Sequence, residues 1–187
     1  MIIAIAGGSG SGKTTISNLM KEKYKTCFNI NVEVVSMDDY YKNIEIDSFD
    51  NYDHPNAFNV DQLHRDLQNF LSTGSLQTRS YNYETKESVA LERKSNVKIV
   101  ILEGLYSFYT QEIRDICHLK LFLDVDENIR IKQRLFRDLK ERNISMEKNM
   151  LMINSFVKDM YKKHVLQQRE VADKIYPNTN EVLSLIA

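Results

Sequence analysis

Residues 7–15, GGSGSGKTT, have the types and spacing of a phosphate-binding loop. Gly7, Gly12, Lys13 and Thr14 fit the pattern G-x-x-x-x-G-K-[ST], with a short apolar stretch before it. Backbone N–H groups of such a loop surround phosphates, and the N-terminus of the following helix adds a favourable partial charge. Lys13 is expected to reach the β- and γ-phosphates, and the Thr14 hydroxyl to ligate Mg²⁺. The predicted nucleoside triphosphate site comprises Gly7, Gly8, Ser9, Gly10, Ser11, Gly12, Lys13, Thr14 and Thr15.

Acidic residues follow two other apolar stretches. Glu103 closes KIVILEG, and Asp38 and Asp39 follow VEVV in the segment SMDDYYKN. A triphosphate site of this kind needs an acid at the end of a neighbouring strand to hold or orient the metal, so we expect Glu103 to do so. The two acids and two tyrosines of SMDDYYKN are compatible with either a solvated loop or a wall of the site.

The pattern of apolar residues predicts elements that bring these segments together. The expected strands are residues 1–6, 32–37, 97–104, 119–125 and a short one within 171–176, and the expected helices are 13–25, 60–72, 127–142, 146–169 and one at the C-terminus. Residues 76–94 favour a surface hairpin. Strands that alternate with helices predict an α/β fold with a parallel sheet of the P-loop NTPase type and helices on both faces. The three polar segments then lie at one edge of the sheet, where ligands bind.

The helix predicted at 60–72 has an apolar face, and Gly74 is a natural stop after it. That face comprises Val60, Leu63, Leu67, Phe70 and Leu71.

Composition narrows the class of protein. A chain of 187 residues with 42% hydrophobic and 27% charged residues predicts one globular domain, residues 1–187. The formal net charge of −1 argues against nucleic acid or an anionic membrane as partner. Cys27 and Cys117 match no metal-ligand spacing, which suits a reducing cytoplasm. Without an N-K-x-D segment a switch GTPase is not indicated, which leaves a small-molecule kinase or a non-catalytic nucleotide-binding module.

Several segments together resemble one family. GGSGSGKTT, MDDYYK, NYDHPNAFNVDQLHRDL, YNYETKES, ILEGLYSFYTQEIRD and LFLDVDENIRIKQRLFRDLKER resemble, in this order, segments of the uridine kinases. The resemblance spans roughly residues 2 to 180. It implies ATP-dependent phosphorylation of the 5′-hydroxyl of uridine, usually also of cytidine, with Mg²⁺, in pyrimidine salvage. It also implies a small-molecule nucleoside acceptor and a homo-tetramer.

The resemblance assigns roles on the acceptor side, in residues of about 38–95. Asp38 matches the catalytic acid that accepts the 5′-hydroxyl proton near Mg²⁺, whereas Asp39 has no catalytic counterpart and is expected to be solvated. Asp53 matches the acid that binds the ribose 2′- and 3′-hydroxyls. Four aromatic residues are expected to line the nucleoside pocket: Tyr41, Tyr52, Tyr81 and Tyr83. Of Tyr81 and Tyr83, one is expected to hydrogen-bond the base and the other to stack on it.

Arginines of the helix predicted at 127–142 are the remaining candidates. Arg130, Arg134 and Arg137 share one face, opposite Ile131, Leu135 and Leu139, and spacing alone indicates a solvated basic stripe. The resemblance instead implies that Arg134 and Arg137 close over the phosphates and the ribose. It makes Arg142 an arginine of the lid, about residues 137–150, although Asn143 stands where the family has glycine.

Lys86 is the main departure from the family. It stands where the family's hairpin usually carries a histidine that contacts the base. An ammonium only donates hydrogen bonds, so it would favour O4 of uracil over the amino group of cytosine. The alternatives left open are a kinase of the same fold for another riboside, pantothenate or a phosphosugar, and a non-catalytic nucleotide sensor.

Overall fold

A parallel five-stranded sheet forms the centre of the computed structural model, which describes residues 1–42 and 51–183. Its strands are β1 (Ile2–Gly7), β2 (Val32–Ser36), β5 (Ile99–Gly104), β6 (Leu119–Leu123) and β7 (Lys174–Tyr176), in the order β2-β5-β1-β6-β7. β3 (Leu76–Asn82) and β4 (Glu87–Lys94) form a separate antiparallel hairpin. The predicted α/β class, parallel sheet and hairpin are therefore confirmed.

Helices cover both faces of the sheet. They are α1 (Lys13–Phe28), α2 (Val60–Thr73), α3 (Gln111–Ile116), α4 (Glu127–Glu141), α5 (Met146–Met152), α6 (Lys158–Met160) and α7 (Thr179–Leu183). Helical structure is continuous from Met146 to Val171, since π-helical turns flank α6 and a 3-10 turn ends the segment. The sequence analysis missed α3, which is short and carries a single buried side chain, Ile113.

Continuous burial explains why β1 and β5 read as unbroken apolar runs. Every residue of both strands is buried, as expected for central parallel strands with helices on both sides. Two clusters of buried side chains, one on each side of the sheet, form the core. On α2 the predicted apolar face is confirmed for Leu63, Leu67 and Phe70, but Leu71 is 40% exposed because the buried arc of this helix is narrower.

The strand register places the polar segments at one edge. Ser36 is the partner of Glu103, and Ile5 pairs with Glu103 from the other side. Gly7 pairs with Leu123, so the phosphate-binding loop leaves the sheet between β5 and β6. No helix in the described ranges has the length and apolar content that a membrane span requires.

Candidate active site

The phosphate-binding loop joins β1 directly to α1, as its spacing predicts. Lys13, the first residue of α1, is 8% exposed, and its ammonium donates to the carbonyl of Gly8 at 2.9 Å. Burial lowers the pKa of Lys13 to about 8, although the carboxylates of Glu103 and Asp38 act in the opposite direction. The first turn of α1 carries no acidic residue, so its positive end is available to an anion.

Thr14 and Glu103 form an oxygen-rich corner beside Lys13. The Thr14 hydroxyl donates to Glu103 Oε1 at 3.1 Å, and the Ser36 hydroxyl also bonds this carboxylate. Glu103 is 4% exposed, and burial raises its pKa while Lys13 lowers it. Hard oxygen donors of this kind suit Mg²⁺. The described residues contain no group of three His, Cys, Asp or Glu side chains that could hold a metal ion together.

Asp38 and Asp39 lie on one 3-10 turn, Met37–Tyr40, but face different neighbours. Asp38 is about one-third exposed, at 36%, with one oxygen 3.4 Å from the Tyr41 hydroxyl and the other 3.5 Å from Arg142 Nη2. Asp39 accepts from the backbone N–H of Tyr81 at 3.3 Å, and burial raises its pKa to about 6. The expectation that Asp39 is solvated is wrong, since it anchors the hairpin.

The predicted tyrosines are brought together. Tyr41 contacts the other three, with ring centroids 5.0 Å from Tyr52, 5.1 Å from Tyr81 and 6.3 Å from Tyr83. The Tyr41 ring also stacks on Phe58 at 4.5 Å. Tyr41 therefore packs in the core through its ring and reaches the site through its hydroxyl.

The hairpin residues differ in their access to the cleft. Tyr83 is 45% exposed, and the Arg142 guanidinium lies 5.4 Å from its ring centroid. Tyr81 is 7% exposed and packs in the core, and Lys86 lies between β3 and β4 with φ of 58°. Within the described residues, neither Tyr81 nor Lys86 lines the cleft, so their contacts with a base stay predictions.

Asp53 and Arg134 form a buried, two-pronged ion pair. Arg134 Nη1 donates to both carboxylate oxygens at 3.0 and 3.3 Å, and Nη2 donates to Oδ2 at 3.3 Å. Both side chains are less than a tenth exposed, at 8% and 6%. Guanidinium and carboxylate match in this planar geometry, and the pair joins α4 to the loop before Pro55. Sequence reasoning selected both residues but not their contact.

The arginine face of α4 is buried, so the solvated stripe indicated by spacing is wrong. Arg130 and Arg134 are each 5% exposed, whereas Leu139, on the expected apolar face, is 49% exposed. Arg137 is intermediate, with 32% of its side chain exposed. The face is buried because carboxylates, the phosphate-binding loop and the ring of Tyr161 pack against it.

Arg130 is a residue whose position sequence reasoning missed. Its guanidinium lies 3.9 Å from the Tyr161 ring centroid, and its Nε donates to the carbonyl of Val125 at 2.9 Å. A methyl group at Gly8 would overlap the Arg130 side chain, and one at Gly10 would overlap its carbonyl. Arg130 therefore braces the phosphate-binding loop, a role for which the sequence offered only the i, i+4 spacing.

One cleft connects these groups, with a volume of about 2330 Å³. It runs from the phosphate-binding loop past Asp38 and Glu103 to Asp53 and the arginines of α4. It can therefore take a triphosphate at one end and a second small molecule at the other.

Comparison with known proteins identifies the family. A model of the Phosphoribulokinase / Uridine kinase family matches residues 2–184. The chain belongs to this family. The uridine kinase of Staphylococcus haemolyticus is 35% identical over 185 residues, which cover 94% of this chain and 86% of that protein. Uridine-cytidine kinase A of Dictyostelium discoideum is 32% identical over 97% of this chain, but the chain spans only 36% of its length.

Solved structures support the fold of this family member. The phosphoribulokinase from Rhodobacter spheroides superposes with a TM-score of 0.67 at 15% identity, covering 92% of this chain and 70% of that one. At such identity the likeness concerns the fold alone. Together with the family match, it confirms the prediction of a P-loop kinase.

Proposed function

We propose that the protein transfers the γ-phosphoryl group of ATP to the 5′-hydroxyl of a pyrimidine ribonucleoside, uridine in the first place. The relatives named uridine kinase support this acceptor. The observation that carries the proposal is the link between Asp38 and Asp53. The Tyr41 hydroxyl lies within hydrogen-bond distance of Asp38 Oδ1, at 3.4 Å, and of the carbonyl of Tyr52, at 3.2 Å. The two acids thus lie on either side of the Tyr41 hydroxyl and line the same cleft, an arrangement that suits contact with the two ends of a ribose.

Asp38 is the base in this mechanism. It accepts the 5′-hydroxyl proton while that oxygen forms a bond to the γ-phosphorus and the bond from phosphorus to the β–γ bridging oxygen breaks, which releases ADP. Lys13, Arg134 and Arg137 offset the charge that spreads over the transferring group. Mg²⁺, when bound, supplies further neutralisation between the phosphates, and Thr14, Glu103 and Asp38 would hold it.

Asp53 and Arg134 together suit a vicinal diol. A hydroxyl can donate to the carboxylate and accept from the guanidinium, so two adjacent hydroxyls complete the pair's hydrogen bonding. We therefore propose that ribonucleosides are preferred over 2′-deoxyribonucleosides, and we keep the prediction that Lys86 favours uridine over cytidine. Comparable kcat/KM for uridine and cytidine would contradict the second point.

The charge balance argues against a phosphorylated acceptor. The guanidinium groups of Arg134, Arg137 and Arg142 are matched by nearby carboxylates of Asp53, Asp138 and Asp38. A phosphosugar would add a second phosphate charge on the acceptor side, where each of these arginines already faces a carboxylate. Arg134 and Arg137 are also needed there for the transferring phosphoryl group. A non-catalytic sensor is not favoured either, because sensing has no need of Asp38.

The test is ADP release over a panel of nucleosides, pantothenate and sugar phosphates, with Asp38→Asn and Asp39→Asn as a matched pair. Asp38→Asn should lower kcat with uridine by about 10²–10⁴-fold, because it removes the base. Asp39→Asn keeps an acceptor for the Tyr81 N–H and should leave kcat within about 3-fold of the wild type. Near-normal turnover of Asp38→Asn would contradict the assignment of the base, and turnover of another acceptor class alone would contradict the substrate.

A further inference from the structure

Asp138, next to Arg137 on α4, is fully buried and has several partners. Its Oδ1 accepts from Arg137 Nε at 2.8 Å and Nη2 at 2.6 Å, and Arg142 Nε lies 3.8 Å from the same oxygen. Its Oδ2 accepts from Asn149 Nδ2 at 2.9 Å. A buried charge persists only where such partners compensate it. The carboxylate therefore holds the arginines of the lid in place.

Asn149 connects this carboxylate to the acceptor side. It is 0% exposed and lies on α5, which begins after the cap formed by Ser145. Besides donating to Asp138, it accepts at Oδ1 from Arg134 Nε at 3.3 Å. If the Asn149 amide were flipped, its NH₂ group would face the Arg134 Nε–H and its oxygen would face the Asp138 carboxylate. Both contacts would be repulsive, so the orientation described is the favourable one. A neutral carboxamide can donate to an anion and accept from a cation at once.

Arg134 is thereby fixed at both ends of its guanidinium. Its Nε faces Asn149 and lies 3.4 Å from Asp138 Oδ2, while its Nη atoms hold Asp53. An unbroken series of hydrogen bonds runs from Asp138 through Asn149 and Arg134 to Asp53. It joins the lid to the group that is proposed to bind the ribose.

We propose that Asn149 and Asp138 are positioning residues for acceptor recognition. Neither needs to touch the nucleoside. When α5 packs on α4, these two residues orient Arg134 and, through it, Asp53. The vicinal hydroxyls of a ribose are therefore bound tightly only while α5 is in this position. This inference rests on the proposed function for its kinetic consequences, but the hydrogen-bond series stands on geometry alone.

Asn149→Leu tests the proposal, because leucine is similar in size and lacks both polar atoms. We expect KM for uridine to rise about 10-fold, the cost of a lost hydrogen bond to a charged group, and KM for ATP to change little. The preference for uridine over 2′-deoxyuridine should shrink by a similar factor. The control is Gln168→Met, which removes another buried amide, bonded to Phe108 and Leu105 outside this series. It should lower Tm without changing KM for uridine.

Asn149→Asp supplies a readout that a merely structural role would not give. The introduced carboxylate, when ionised, would face the like charge of Asp138, but its protonated form can donate to Asp138 and accept from Arg134 as the amide does. The KM defect of this variant should therefore diminish as pH falls, whereas that of Asn149→Leu should not. If both variants lost only thermal stability and kept the wild-type KM and ribose preference, the proposal would be overturned.

The nuclear magnetic resonance signal of the Arg134 Nε–H separates this proposal from the proposed function. In the wild type this proton should exchange slowly with solvent, because it is buried and bonded to Asn149, and in Asn149→Leu it should exchange at least about 10-fold faster. Unchanged exchange would overturn the positioning role. If the wild type phosphorylated no nucleoside, the proposed function would be wrong. The exchange rate of the Arg134 Nε–H would still show whether Asn149 holds Arg134 in place.

Discussion

The phosphate-binding loop and the acceptor side of the cleft are built by different means. The loop is a run of nine consecutive residues, 7–15, from the last residue of β1 into the first turn of α1, and its expected ligand groups are mostly backbone N–H groups. The acceptor side combines side chains from the 3-10 turn at Asp38, the loop at Asp53, the hairpin, α4 and α5, held by ion pairs and edge-to-face ring contacts. A substitution in the loop should therefore weaken all phosphate contacts together. A substitution on the acceptor side should weaken acceptor binding to a smaller extent, through the residues of other elements that it contacts.

Gly10→Ala should produce the largest effect, on the loop side. Gly10 has φ of +78°, and an added Cβ would overlap the backbone carbonyl of Arg130, which cannot move without α4. We expect ATP affinity to fall by roughly 10²-fold or more, because the misplaced loop loses several of its anion contacts together. Isothermal titration with ATP and Mg²⁺ measures this.

Gly74→Ala is the matched control for Gly10→Ala. Gly74 ends α2 with φ of +69°, and an added Cβ there meets nothing within 4 Å. This variant should lose about 1 kcal/mol of stability from backbone strain and bind ATP normally. Equal ATP affinities for the two variants would show that the loop does not depend on close approach to α4.

Asp53→Asn should produce the next largest effect, on the acceptor side. It leaves the buried Arg134 guanidinium without its counter-charge, so kcat/KM for uridine should fall by about 10²-fold. The ratio of kcat/KM for uridine to that for 2′-deoxyuridine should approach one, because the carboxylate that is proposed to bind the 2′-hydroxyl is gone. Affinity for ATP, measured by titration, should stay near that of the wild type. A matching loss of ATP affinity would erase the distinction between the two sides.

The same contrast explains what the sequence could predict. The loop, the strand before it and the placement of Glu103 and Asp38 at the same edge of the sheet could be predicted, because consecutive residues and strand ends carry that information. The roles of Glu103 and Asp38 stay predictions. The burial of Arg130 and Arg134 could not be read from α4, since their partners Asp53 and Tyr161 lie in distant segments. Hydrophobic periodicity assigns arginines to the exposed face of a helix. In this protein carboxylates compensate the charge, so an arginine can be buried.

Asn149 shows the limit most clearly. It directly follows Glu147 and Lys148 and precedes the apolar run MLMI, residues 150–153, at a place where an amide would ordinarily be read as a solvent-exposed side chain on a helix. Its charged neighbours in the sequence give no sign of burial, and only the positions of Asp138 and Arg134 show its role. Asp39 is a similar case, because its neighbour across the turn, the N–H of Tyr81, is 42 residues away.

The pH dependence of ATP binding gives the smallest effect and tests the loop side through one side chain. Burial lowers the pKa of Lys13 to about 8 from 10.5, so in the free protein the amine becomes neutral as pH rises through 8. A bound triphosphate stabilises the charged ammonium of Lys13. At a pH between 8 and 10.5, ATP binding should therefore be accompanied by uptake of a proton by Lys13. ATP affinity should therefore be constant below about pH 8 and should weaken about 10-fold by about pH 9.

Titration in two buffers of different ionisation enthalpy counts the proton taken up on ATP binding. Lys13→Met, which has no ionisable amine, should show no such uptake. The charges that act most on the pKa of Lys13 are those of Glu103, Asp38, Arg137 and Arg130, and not that of Asp53. Asp53→Asn should therefore keep the same proton uptake, and its loss there would mean that the two sides share one electrostatic unit.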